Sequence, residues 1–515
     1  MADGWQTYPV EFRGGLVTSL SPIQQGINAP GTARQLRNFE PAVNGGYRRI
    51  SGYTKYADTV VPGTGFVRCV FYYSGKVFAV RNNTGAGEGE LYESSGSTDP
   101  WTRVSTDSVR FASGNTKIRI AKFNFDGTER VVLVDGVNTP FILENVTLTK
   151  PTLTSAQAGA SHVAVFKDHI FLGKATSIIS SAPLGYADAA GWSVSNNAND
   201  LQINDTITGL EVFRDQLFIF SKTKINRIQG SSWNDFTRIP VSTDLGCIEE
   251  DTIQELAGDV VFLGPDGLRL LSGTERIGDV GLGAITKNIQ SNMTDFVRRN
   301  NTFSSLVVRE KSQYRIFGYN SSTPQGEAQG FIGTQFSVQG AEDVAWSELR
   351  GIQAYVGYSE YTGADEIYLF ANNNGYVYNL ESGISFDGTD ISASFYTPFL
   401  SINDPTIRKT MYIAHTYLDP DGSFNANMGI NYDFNSGVRP DVIQLSNDLD
   451  SDSQIGLYGS ATYGTSIYGS ATRVTLRKQV TGSGFVTSIE YTSEGSTQPF
   501  TLDAMALEYA TESRR

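Results

Sequence analysis

Apolar and polar positions along the chain recur in one arrangement: a small polar or turn-forming pair, then four mostly apolar, β-prone residues. The clearest copy lies between Glu211 and Gly230, where Arg214-Asp215 leads into Leu217 to Phe220 and the polar turn Ser221 to Lys224 leads out. This pattern predicts a tight β-hairpin. Six further copies begin at Gly75, Glu129, Asp168, Asp259, Ser312 and Asp365, so with Asp215 the steps are 54, 39, 47, 44, 53 and 53 residues. A unit of roughly 40–50 residues suits one four-stranded propeller blade. Four units continue through a turn into a second short strand, as at Gly264-Pro265-Asp266-Gly267 before Leu268 to Leu271 and at Asn372 to Gly375 before Tyr376 to Tyr378. Gly, Asn and Asp stand where such turns need positive φ. The competing reading is a long sandwich, because any β-rich chain shows a strand about every 8–12 residues.

The regions flanking the repeats read differently. Residues 1–56 look like an extended arm, with turn-rich Ser21-Pro22 and Asn28 to Gly31. Beyond Asp365 no blade anchor follows, but alternation is clear in Met411 to Ala414 and Phe485 to Tyr491. The expected fold is therefore all-β: an N-terminal extended arm over 1–56, a β-propeller over 57–385 and a β-sandwich-like domain over 386–515. The one convincing helical signal follows Gly281-Leu282-Gly283, where Ala284, Asn288, Ile289, Met293 and Phe296 share a face. A Tyr/Gly repeat, Leu457 to Ala461 against Ile467 to Ala471, predicts an exposed hairpin or loop.

Composition supports a folded chain, with 39% apolar and 18% charged residues, and 53 Gly, 29 Phe and 25 Tyr fit many turns and half-buried strands. The formal net charge of −14 argues against grip on nucleic acid through phosphate neutralisation. Against that background four arginines, Arg34, Arg37, Arg48 and Arg49, fall within sixteen residues. They are read either as salt bridges within the fold or as contacts with an acidic partner surface. Cys69 and Cys247 have no metal or redox spacing and are expected to be buried free thiols. Neither a signal peptide nor a membrane span is expected, since no stretch has the required pattern.

Chemistry is poorly supported by the residues. His162, His169 and His415 lie in or beside strands, and none has a partner at metal-ligand spacing. Gly-x-Ser-x-Gly, phosphate-loop and His-Glu-x-x-His motifs are missing from the sequence. Asp448 to Gln454 places carboxylates at alternate positions like a calcium loop, but Ser453 stands where the turn glycine belongs and Gly459 where the bidentate glutamate belongs. A solvated acidic loop is the expectation there. No catalytic residue, cofactor or metal is assigned.

Several stretches together resemble a known group. They are Asn38-Phe39 with Gly45 to Tyr53, Ile207 to Leu217, Phe262 to Gly267, Asn403 to Lys409, and Ala506 to Tyr509 with Arg514-Arg515. In their order along the chain these resemble the tail tube protein of short-tailed bacteriophages, also called nozzle, tail tubular or stabilisation protein. The resemblance implies a non-enzymatic structural protein of the virion tail, assembled in the host cytoplasm. It further implies a homo-oligomer, a hexameric ring, below the adaptor ring of the portal, with tail fibres or spikes as further contacts. DNA would be retained in and then ejected through the bore without specific binding. The alternative function is a receptor- or glycan-binding propeller subunit of a phage tail.

Overall fold

The computed structural model describes residues 5–512 except 197, 233, 277–283, 339–340, 364, 435–441 and 447–472. The calcium-like loop and the Tyr/Gly repeat lie outside the described residues.

All seven hairpins form. Each joins the first two strands of an antiparallel meander, and the meanders span 64–103, 119–149, 162–202, 207–242, 254–270, 302–350 and 356–380. In four of them the hairpin loop has two residues, both at positive φ: Ser74-Gly75, Lys167-Asp168, Arg214-Asp215 and Ala257-Gly258. That geometry matches the right-handed twist of the flanking strands. The exposed Ala257 has no side chain suited to its φ of 49°. Ala257→Asn is expected to raise stability by about 0.5–1 kcal/mol, read as a higher thermal midpoint.

The anchor strands are apolar without alternation, and packing supplies the reason. Successive side chains point to opposite faces of a strand, and each sheet is covered on both faces by its neighbours in the ring. Val131 and Leu133 pack with Phe71 and Phe78 of the first unit, whereas Val132 and Val134 pack with Ile170 and Leu172 of the third. The same division carries on round the ring, through Phe171 with Leu217 and through Phe220 with Phe262. It continues through Val261 with Val307, Leu306 with Phe370, and Leu369 with Val67. The ring is therefore closed by hydrophobic interfaces between all successive units.

Six units are separate blade sheets, five of four strands and one of three. The last of these obtains its outer strand from far away: Tyr53–Lys55 pairs with Val377–Leu380. The unit at 302–350 is instead part of a nine-stranded sheet. Its outer strand Ala341–Arg350 meets Gln35–Arg37, which pairs in turn with Ala393–Tyr396 of the C-terminal region. A seven-stranded sheet built on Lys409–Pro420 and Phe500–Thr511 faces the C-terminal half of the nine-stranded one. Phe395 and Tyr491 of one sheet share a buried core with Met411 and Leu507 of the other. This is the expected sandwich.

The N-terminal segment is extended, but it is no free limb. Gln6–Glu11 pairs with Phe500–Thr511, and Phe39–Pro41 and Tyr47–Arg49 extend the same sheet. Its Pro22–Asn28 helix was not anticipated, although Ser21 as N-cap with proline at the first helical position is a helix-start signal. The anticipated helix is Gln290–Arg299, with Met293 and Phe296 buried, while Asn288 and the buried Ile289 lie in the single 3-10 turn Lys287–Ile289 just before it. Ala284 lies before it, in a β-bridge to Arg269.

Candidate functional site

Inner strands of a propeller run along its axis, so their side chains converge on one central space. Here Arg119–Asn124, His162–Phe166, Ile207–Phe213 and Val356–Tyr361, with the turn Glu250–Thr252, enclose a cavity of about 390 Å³. Charged groups from units remote in sequence meet in its wall, at Arg119, Lys122, Glu211, Glu250 and Asp251, and immediately around it. The Arg119 guanidinium contacts Asp251, Glu249 at 3.0 Å and Glu250 at 2.6 Å. Lys117 Nζ lies 2.5 Å from Asp251, and His162 Nδ1 lies 2.7 Å from Glu250. Lys122 reaches across to Glu360, which also accepts a hydrogen bond from the Tyr358 hydroxyl. Burial alone raises the Asp251 carboxyl, but Arg119 and Lys117 outweigh it and hold it below the usual carboxylate range.

Glu211 is the exception. Half-buried on the cavity wall, its carboxylate has no hydrogen bond or ion pair among the described residues. Desolvation, then the neighbouring Glu250 and Glu255, push it up from 4.5 to about 8. The folded state thus keeps a proton that the unfolded state sheds at lower pH. This group's effect on stability is most favourable below about pH 4.5, and the advantage is lost as pH rises through about 8. Glu211→Gln is expected to leave the thermal midpoint unchanged near pH 4 and to raise it near pH 9, by on the order of 2 kcal/mol of stability.

A larger crevice of about 780 Å³ sits where the unit at 302–350 meets the N-terminal segment, lined by Arg37, Arg299, Gln325, Arg350 and Asp390 among others. Arg37 is the one of the four anticipated arginines that lines it. Its Nε donates to Glu348 at 2.8 Å, and its side chain is 45% exposed. The same carboxylate accepts from Gln329 and Arg350, so it stays satisfied without Arg37.

The other three arginines are engaged within the chain. Arg34 pairs with Glu490 at 3.0 Å and lies over the Tyr396 and Phe399 rings. Arg48 makes a two-pronged contact with Asp421, at 2.9 and 2.5 Å. Arg49 is fully buried and donates to the carbonyls of Ile391, Thr497 and Gly495, with no carboxylate partner among the described residues. Desolvation, opposed by Asp390, brings its pKa down to about 10. Of the four, Arg37 retains the most exposed side chain.

Cys69 and Cys247 are buried free thiols, both pushed up to about 12 by desolvation. His169 is buried against the Ser181 carbonyl, and His415 Nε2 lies 2.7 Å from Glu508. Among the described residues no three His, Cys, Asp or Glu side chains are arranged to hold a metal ion, and no helix is long and apolar enough to cross a membrane. The axial cluster was missed from sequence. Its only local signal is the acidic run Glu249-Glu250-Asp251, whose cations lie more than a hundred residues away at Lys117 and Arg119.

No known family model matches the chain, and no curated protein matches it either. Solved structures do. The crystal structure of BBS1N in complex with ARL6DN aligns over 64% of this chain and 97% of its own, at 10% identity and TM-score 0.38. A glycoside hydrolase family 43 arabinoxylan arabinofuranohydrolase from Bacillus subtilis, in complex with cellotetraose, aligns over 89% and 99%, at 11% identity and TM-score 0.27. The extracellular domain of the putative hybrid two component system BT3049 from B. thetaiotaomicron aligns over 76% and 46%, at 9% identity and TM-score 0.37. Likenesses this distant carry no argument about what the chain does.

Proposed function

We propose that this chain is a structural subunit of a short-tailed bacteriophage tail, six copies of which form the nozzle ring through which DNA is retained and then ejected. The observation that carries this reading beyond the sequence resemblance is the continuity of the body. The propeller and sandwich share a nine-stranded sheet, and the N-terminal segment stitches both together. A stiff body of that kind suits a part that transmits load without opening. In this reading the role is mechanical and no catalytic residue is assigned.

The propeller axis is crossed by ion pairs between Arg119, Glu249, Glu250 and Asp251, and by Lys122 with Glu360. The DNA path of this proposal therefore runs between subunits, along the axis of the ring, and the acidic net charge of −14 disfavours counterion-release binding that would stall a moving phosphate backbone. The adaptor ring of the portal is the proposed neighbour above, with tail fibres or spikes at the periphery, in the virion tail after assembly in the host cytoplasm.

The test is native mass measurement of the purified chain alone and mixed with its adaptor ring. Sixfold rings that appear on the adaptor support the proposal; a stable monomer that ignores the adaptor and binds glycans overturns it. Arg37 gives a sharper probe of docking. Arg37→Ala is expected to change stability by less than about 1 kcal/mol, because the ion pair is half-exposed and Glu348 keeps two other donors. Adaptor association of this variant is expected to weaken about tenfold at low salt, measured by titration against adaptor rings.

A further inference from the structure

The axial cavity holds an imbalance that the mechanical role does not use. Around it stand three cations, Lys117, Arg119 and Lys122, and each is committed to carboxylates of Glu249, Glu250, Asp251 or Glu360. Glu211 is a carboxylate in the wall left without a cation among the described residues. Beside it the wall is apolar at Val165, Val212 and Ile253, with the Gln254 side chain as a further polar group and Tyr358 as an aromatic face. An unpaired carboxylate next to apolar wall and ring is chemistry complementary to an alkyl chain ending in ammonium. At about 390 Å³ the space suits a small molecule.

We propose that the axial cavity is a binding site for a small organic cation, a primary alkylammonium whose charged end pairs with Glu211 and whose alkyl chain lies on Val165, Val212 and Ile253. Arg119 and Lys122 already hold their own partners, so they leave the Glu211 carboxylate to the ligand. Glu250 and Glu255 add negative potential at the same end, while His162 is held by Glu250. Binding expels the proton that Glu211 keeps in the ligand-free protein, so affinity rises about tenfold per pH unit below about pH 8 and levels off above it.

The experiment is calorimetric titration of the full-length chain with n-butylamine at several pH values, alongside butan-1-ol, butyrate and matched sodium chloride. The expected result is saturable binding of the amine, with proton release and the pH dependence above, and none of the alcohol or the carboxylate. Glu211→Gln is expected to fold, since a neutral amide replaces a carboxyl that holds its proton up to about pH 8 and has no partner among the described residues, and to abolish amine binding. Equal binding to that variant, equal binding of butan-1-ol, or no amine binding by the unaltered protein near pH 8.5 overturns the proposal. The readout is independent of ring assembly, so its failure leaves the nozzle reading to its own test.

Discussion

Arg315→Met is expected to cost about 3–5 kcal/mol of stability, enough to abolish a large part of the folded population at physiological temperature. Arg315 and Glu40 are both 1% exposed and 2.9 Å apart, and Arg315 also lies 2.6 Å from Glu381. Lys311 completes a quartet, 2.7 Å from Glu40 and in contact with Glu381. Two cations and two carboxylates thus join three parts of the chain: the N-terminal segment, the unit at 302–350 and the end of the last blade. Removing the Arg315 guanidinium leaves two buried carboxylates to Lys311, with Arg48 Nε 3.8 Å from Glu40 as the remaining second cation, and it is this under-compensated charge that dominates the cost. Replacing Glu40 and Glu381 by Gln in the same protein is expected to recover part of the loss. A midpoint for Arg315→Met within about 1 kcal/mol of wild type would show that the quartet does not clasp the ring.

The same quartet sets an acid limit. Burial raises the Glu381 carboxyl, but Arg315 and Lys311 outweigh it and bring its pKa down from 4.5 to about 2. Its stabilising contribution is full above about pH 4.5 and is lost as pH falls towards about 2. Glu381→Gln is expected to flatten that part of the acid-unfolding curve.

Deleting residues 1–56 is expected to abolish soluble expression, although the segment reads in sequence as an extended arm. Five of its large apolar side chains, Phe12, Leu36, Phe39, Tyr47 and Tyr53, are at most 2% exposed. At about 1.5–3 kcal/mol for each side chain buried, they contribute as much as the whole net stability of an ordinary domain. Deletion also strips the outer strand from the last blade and the strand that joins the unit at 302–350 to the sandwich. The measurement is the soluble yield and far-ultraviolet dichroism of the truncated chain. A soluble, monomeric, β-rich product would mean that the propeller closes without this segment.

Much of the propeller was legible because its signals are local. A polar pair before four apolar residues reports a two-residue turn before a strand covered on both faces, as at Arg214-Asp215 before Leu217 to Phe220. Both faces of that strand are buried, Leu217 and Ile219 towards one neighbour and Phe218 and Phe220 towards the other. The sandwich strands were legible through their alternation. The burial of both cysteines also followed from their apolar contexts.

What the chain order cannot express is which distant segments become neighbours. Tyr53–Lys55 has no local feature that assigns it to a blade more than three hundred residues away. Glu40 is one more carboxylate until the fold sets it against Arg315, and Arg49 looks like a surface arginine until it is found buried against three carbonyls. The axial cluster likewise exists only once the ring is closed.

The sequence by itself determined the seven hairpins, the β class and the change of character after the last repeat, because turn chemistry and strand burial act over a few residues. Only the tertiary structure decided how the ring is locked, which charges neutralise one another and why Glu211 has no partner among the described residues. Those outcomes depend on distances between groups hundreds of residues apart, set by backbone pairing and desolvation rather than by neighbouring side chains.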